Sequence, residues 1–145
     1  MTVNLPDLAA MTAFGTRIAA RLQAGDVISL EGELGAGKTT LSRAILRAMG
    51  HEGEVPSPTF TIVETYDALS PPVVHADFYR LDTPAEAAEL GLDEYREGAA
   101  LLAEWPERAG GFRTEPTCLA ITLQIRGEGR IAVVDGGPAW QGRMP

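Results

Sequence analysis

The sequence predicts an α/β fold, three-layered, with a mixed sheet and a C-terminal antiparallel hairpin. Three observations predict it. A short apolar run, Val27–Leu30, passes at once into the glycine-rich stretch Glu31–Gly37 and then into a helical pattern from Lys38. Further short apolar runs alternate with helical segments, as in a sheet covered by crossover helices. Two β-rich runs, Leu119–Ile125 and Ile131–Val134, flank the turn Gly127–Gly129 and close the chain as a hairpin.

The elements follow in order. Leu8, Met11, Phe14, Ile18 and Leu22 recur at three- and four-residue spacing, which predicts a helix over Leu8–Leu22. Asp7, after Pro6, is its expected cap. Ala24–Asp26 forms a turn into the first strand. Lys38–Met49 reads as a helix with Leu41, Ile45, Leu46 and Met49 on one side and Gly50 as its stop. Pro56 and Pro58 disfavour a helix and predict a stiff extended loop. Phe60–Tyr66 reads as a strand, Ala68–Pro72 as a turn, and Val73–Phe78 as a second strand with Asp77 at its end. Thr83 as cap and Pro84 in the first turn predict a helix through Leu90, and residues 92–98 add a short helical turn. Ala99–Ala103 is an apolar strand ending at Glu104, followed by Trp105 and Pro106. The last eight residues read as a loose tail.

With 145 residues, the chain is expected to be one domain, 1–145, able to bury its own core without a metal or disulfide staple. Asp and Glu number 20 against 12 Lys and Arg, a net charge of −8. That balance gives no general attraction for DNA, RNA or an anionic membrane. A single cysteine, Cys118, excludes an internal disulfide and a thiolate zinc cluster. No apolar run approaches a membrane span, and MTVNLPDLAA has no basic segment ahead of an apolar one. The cytoplasm is the expected location.

The chemistry is concentrated in Gly32-Glu33-Leu34-Gly35-Ala36-Gly37-Lys38-Thr39, which has the spacing G-x-x-x-x-G-K-[ST]. Glycines let the backbone curl so that several N–H groups face one anion. The following helix adds its unpaired N-terminal donors and the positive end of its dipole. Lys38 reaches phosphate as a point charge, and the Thr39 hydroxyl is placed for Mg²⁺. Thr40 is either a second hydroxyl near phosphate or a first-turn residue. The fold expectation therefore sharpens to a P-loop NTPase-like domain.

A triphosphate needs a metal to neutralise and orient it, and acids at strand ends are the expected supports. Asp77 and Glu104 fit, and only one of them need touch the ion. Ser57 and Thr59 lie where NTPases carry a segment ordered by the γ-phosphate. Either hydroxyl senses that phosphate, or Thr59 positions the attacking water, or the segment is a rigid turn that only feeds the strand. His75 is either a general base or a packed, hydrogen-bonded residue. Tyr79 and Arg80 shape a partner surface or meet phosphate, with sheet-edge packing the alternative for Tyr79. Trp105 is a core residue or a large contact residue. Cys118 is expected to be buried and inert. No N-K-x-D segment selects guanine. Arg80 and Arg96 offer too little positive charge for a phosphoryl acceptor, which disfavours a nucleotide kinase; a small-molecule P-loop kinase and a nucleotide-dependent switch with negligible turnover are the alternatives.

Four blocks, GELGAGKTTLSRAILRAMG, VPSPTFTIVETYD, HADFYRLD and EWPE, stand in one order over residues 26 to 107. Together they resemble the bacterial TsaE (YjeE) family of tRNA threonylcarbamoyladenosine biosynthesis ATPases. The resemblance implies an ATP- and Mg²⁺-binding protein, releasing ADP, that works with the partner proteins TsaB and TsaD. Those partners modify adenosine 37 of tRNAs reading ANN codons. TsaD is the transferase, and the ATPase resets the complex, meeting tRNA only through it. The resemblance makes Gly35, Ala36, Gly37, Lys38 and Thr39 the phosphate cradle, with Thr39 and Glu104 linked to Mg²⁺. It makes Asp77 the essential acid of an H-x-D-x-Y-R block and Ser57-Pro58-Thr59 a switch-like loop. Trp105 becomes the adjoining functional tryptophan, and Arg130 and Leu8 become nucleotide contacts.

Overall fold

The structure, a computed structural model, describes residues 1–56 and 63–145. The strands are β1 (Thr2–Leu5), β2 (Val27–Glu31), β3 (Val63–Tyr66), β4 (Val73–Asp77), β5 (Ala100–Glu104), β6 (Cys118–Arg126) and β7 (Gly129–Gly136). The helices are α1 (Leu8–Ala19), α2 (Lys38–Ala48), α3 (Ala85–Glu89) and α4 (Leu92–Arg96), with 3₁₀ turns at Pro106–Ala109 and Pro138–Trp140. All seven strands join one sheet in the order β1-β7-β6-β2-β5-β4-β3. Its centre, β6-β2-β5-β4, is parallel, while β3, β7 and β1 pair antiparallel at the margins. This is the predicted mixed α/β sheet with its closing hairpin.

Alternation along the strands builds a core on each face of the sheet. Ile28 and Leu30, Ala100 and Leu102, and Leu119, Ile121 and Leu123 pack with Met11, Phe14 and Ile18 of α1 and with Leu41, Ile45 and Leu46 of α2. Their strand neighbours Val27, Leu101, Ala103, Cys118 and Ala120 face the other way. They pack with Ala87 of α3, Leu92 of α4 and Phe112. Helices on both faces make the three layers. After α2 the chain builds β3, β4 and β5 on one side of β2, then crosses to β6 on the other. The C-terminal end of β2 is therefore a topological switch point, where open α/β sheets bind ligands.

Several boundaries differ from the sequence expectation. The edge strand β1 was not expected; four residues with Val3 and Leu5 alternating inward carry too little pattern, and pairing with β7 makes the strand. α1 stops at Ala19. Tighter bonds, Arg21 N–H to Ile18 O and Leu22 N–H to Ala19 O, then turn Leu22 into the core. Asp7 caps α1 as expected, its carboxylate accepting from the Ala10 N–H at 2.8 Å. Thr83 does not cap α3 with its side chain; instead Glu86 reaches back and accepts from the Asp82 and Thr83 N–H groups. Of the strand expected over Phe60–Tyr66, Val63–Tyr66 is described and the remainder lies outside the described residues.

The loose tail is also corrected. Trp140 is completely buried and donates from Nε1 to the Thr117 carbonyl at 2.8 Å. Arg143 lies over the Trp140 ring and binds both oxygens of buried Asp26, at 2.7 and 2.8 Å. An aromatic ring and a bidentate ion pair fasten a segment whose glycines and prolines suggested a coil. Among the described residues no helix is long and apolar enough to cross a membrane.

Candidate functional site

The glycine loop leaves the C-terminal end of β2 and enters α2. Gly32 has φ 144°, and a Cβ there would stand 2.6 Å from the Leu123 carbonyl oxygen, so both conformation and space require glycine. Gly37, at φ 106°, begins α2 with no side-chain cap. Gly37 thus has no side chain of its own to cap the first amides of the helix. Lys38 is 5% exposed, and its Nζ donates to the Gly32 and Glu33 carbonyls at 2.6 and 2.8 Å. It also stands 4.2 Å from the centre of the Trp105 ring. Burial pulls this ammonium below its ordinary pKa, against the attraction of Glu104, Glu107, Asp77 and Glu33.

Strand parity delivers the acids to the same place. Ala100, Leu102 and Glu104 alternate onto the α2 face of β5, and Asp77 at the end of β4 is the register partner of Glu104. Glu104 is buried, and its Oε1 accepts from the Thr39 hydroxyl at 2.7 Å. His75 Nε2 lies 2.5 Å from Oε2, with the Ser42 hydroxyl farther off at 3.4 Å. Asp77 is 8% exposed and accepts from the Tyr79 N–H at 2.9 Å. Burial raises its carboxyl above the usual range, opposed by that hydrogen bond and reinforced by the Glu104 charge.

Lys38, Thr39, Thr40, Asp77, Glu104 and Trp105 line one cleft of about 230 Å³ together with Leu34, Gly35 and Gly37. An adjoining cavity of about 160 Å³ includes Leu8, Thr40, Gly37 and Arg130 in its lining. Arg130 braces the loop from β7, donating to the Ala36 and Gly35 carbonyls at 3.1 Å each. Trp105 adopts φ 54°, the left-handed region that a non-glycine residue enters at a cost. Its ring packs at a tilt against half-exposed Tyr79, centroids 4.9 Å apart, and Arg108 lies over the Tyr79 ring at 4.8 Å.

The sequence-predicted residues are therefore largely brought together. Ser57 and Thr59 lie outside the described residues. Arg80 is exposed in the turn after β4 and is not part of the cleft lining. His75 is completely buried against Glu104 and does not line the cleft, so it is the packed, hydrogen-bonded residue and not a base facing water. Its tie to Glu104, and that of Ser42, were missed. Two signals existed: His75 and Asp77 are two apart on a strand and share a face, and Ser42 follows Lys38 by four residues on a helix.

The donor set fits Mg²⁺, a hard cation that prefers oxygen. The Thr39 hydroxyl and the Glu104 carboxylate meet in the cleft, with Asp77 on the neighbouring strand. Among the described residues no group of three or more His, Cys, Asp or Glu side chains could hold a metal. The chain alone supplies few ligands, so such an ion would draw others from water and phosphate, as Mg²⁺ commonly does.

Comparison with known proteins agrees with this geometry. The model of the family described as threonylcarbamoyl adenosine biosynthesis protein TsaE matches residues 5–132. The Haemophilus influenzae tRNA threonylcarbamoyladenosine biosynthesis protein TsaE is 38% identical over 125 residues, 82% of this chain and 79% of that one. The protein of the same name from Synechocystis is 42% identical over 113 residues, covering 74% of this chain and 71% of the other. The crystal structure of Bacillus subtilis YdiB matches with a TM-score of 0.79 and 29% identity, over 98% of this chain and 89% of that one. The match across the glycine loop, the strand-end acids and the hairpin alike makes this chain a member of the TsaE family.

Proposed function

We propose that the chain is a Mg²⁺-dependent ATPase of the cytoplasm that supports threonylcarbamoyl modification of tRNA adenosine 37 together with TsaB and TsaD. The observation that carries the ATPase reading is the cleft where the loop before α2, the buried Lys38 and the Thr39–Glu104 pair converge. Loop amides and the α2 N-terminus bind phosphate, and Lys38 exchanges its two carbonyl partners for phosphate oxygen. Thr39 and Glu104 hold the metal, which neutralises the polyphosphate. Asp77, on the cleft wall, orients the attacking water, with Thr59 as a further candidate. Leu8 and Arg130 flank the nucleoside side of the loop, and Thr40 joins both cavities.

Water is the acceptor this reading favours. Lys38 is the one basic residue in the cleft lining among the described residues, and two acids face it. An anionic metabolite would meet repulsion there. The tRNA pathway and the partners are supported by family membership and by the names the relatives carry. The net charge of −8 suits a protein that leaves tRNA binding to others. Phosphate release from ATP, measured with Mg²⁺ and with or without purified TsaB and TsaD, tests the proposal. Slow release alone and faster release with the partners is expected. Transfer to a metabolite, or partners that neither bind nor change the rate, would overturn it.

A further inference from the structure

Beyond the residues that meet nucleotide and metal, we propose that His75 is a positioning residue that fixes which oxygen of Glu104 faces the cleft. The inference rests on the metal-nucleotide reading of the same site. Glu104 is 2% exposed and His75 completely buried. A metal-binding Glu104 is a carboxylate that only accepts hydrogen bonds, so on that reading His75 Nε2 is the donor in their 2.5 Å contact. Ser42 is a weak competitor: its single hydroxyl proton has the Lys38 carbonyl at 3.1 Å and Oε2 at 3.4 Å. His75 thus holds Oε2 in the core, leaving Oε1 beside the Thr39 hydroxyl at 2.7 Å. Without that donor, the hydrogen bonds left to the Glu104 carboxylate among the described residues are those from Thr39 and, weakly, Ser42. Strand geometry sets the distance. His75 pairs in register with Leu102, two residues before Glu104 on the same face, so the imidazole lies under the carboxylate. Nδ1 has no hydrogen-bond partner among the described residues. The Glu104 contact is therefore the one described hydrogen bond that the imidazole makes.

The test compares the wild-type chain with His75→Leu, His75→Gln, Glu104→Gln and the double variant H75L/E104Q. Binding of a fluorescent ADP analogue is followed in EDTA and across a Mg²⁺ titration, with thermal melting as the control for folding. Outer-shell partners of metal ligands are commonly worth about 10- to 100-fold in metal affinity. His75→Leu should raise the half-saturating Mg²⁺ concentration by about that factor and leave binding in EDTA within roughly twofold of wild type. The amide of His75→Gln, which can donate from a similar position, should recover most of the loss. In the Glu104→Gln background, His75→Leu should add nothing further. A folded His75→Leu with wild-type Mg²⁺ dependence overturns the role, as does an equal loss of binding in EDTA. If His75→Leu does not fold, His75→Asn replaces it, because its shorter amide falls short of Oε2; an unchanged Mg²⁺ response there overturns the proposal equally. A wild-type chain whose nucleotide binding ignores Mg²⁺ refutes the parent reading, and the positioning role falls with it.

Discussion

Replacing Lys38 by Met keeps an unbranched apolar stem out to Cε, with sulfur for one methylene, and removes the ammonium. That ammonium is enclosed: 5% exposed, bonded to carbonyls at 2.6 and 2.8 Å, and 4.2 Å from the Trp105 ring. A phosphate reaching it is met where water screens poorly. Truncating one partner of a desolvated charge pair costs about 2–5 kcal/mol. At about 1.4 kcal/mol per decade, ADP affinity should fall roughly 30- to 4,000-fold. Stability should move differently. The native pKa lies below 10.5, so the folded state binds fewer protons than the unfolded chain between the two values, and stability rises with pH across that window. Below it burial disfavours the ammonium, which offsets the two carbonyl hydrogen bonds that Lys38→Met gives up, so the melting temperature of the variant should stay within a few degrees of wild type. Titration calorimetry with Mg-ADP and a thermal melt read both effects. A folded variant that binds ADP within tenfold of wild type refutes the phosphate role of Lys38, and a melting point several degrees lower refutes the cost argument.

Asp77→Asn should be more stable than wild type at neutral pH. Burial raises the Asp77 pKa above 3.8, so wild-type stability falls as pH rises from that value through the native one; the advantage of Asn should vanish below pH 3.8 and level off above the native pKa. Equal melting temperatures at every pH would contradict this. Trp140→Ala empties a completely buried site and should cost about 3–5 kcal/mol, a melting-point drop of roughly 10 °C, while a change of one or two degrees would show that the tail is dispensable. Cys118 is buried and its thiol is pushed up to about 12, so a thiol reagent should modify the chain only as it unfolds; rapid labelling of native protein would be the contrary result.

What could be read from the sequence divides along physical lines. The glycine loop, its helix and the acids at strand ends were legible because each depends on local chemistry: spacing, capping and apolar runs. β1 and the C-terminal segment were not, because both are made by partners far away in sequence. Val3 and Leu5 become a strand only beside Ala132 and Arg130. Arg143 is ordered by Asp26, on the opposite side of the chain's length. The Glu104–His75 contact lay between these cases. Its residues were each singled out, but their meeting depends on the parallel register of β4 with β5, which no local pattern specifies.

That register links the core to the site. Ala100 and Leu102 fill the space under α2, and the same alternation brings Glu104 to the Thr39 hydroxyl. A slip of one residue in β5 would exchange the faces of Leu101 and Leu102 and carry Glu104 to the opposite face of the sheet. The register of β5 between β2 and β4 therefore sets the faces of both leucines and the placement of the acid together. The burial that secures this geometry also raises the cost of the charges held in it, as the shifts of Lys38 and Asp77 show in opposite directions with one cause. Both shifts disfavour the ionised forms that phosphate and metal require. On the proposed reading, a bound Mg-nucleotide would add counter-charges, an anion beside Lys38 and a cation beside the acids, so ligand binding would relieve a cost built into the folded chain. Stabilisation by Mg-ADP should accordingly exceed the sum of the effects of Mg²⁺ and ADP added separately, because each brings the other's counter-ion into the same poorly screened cleft.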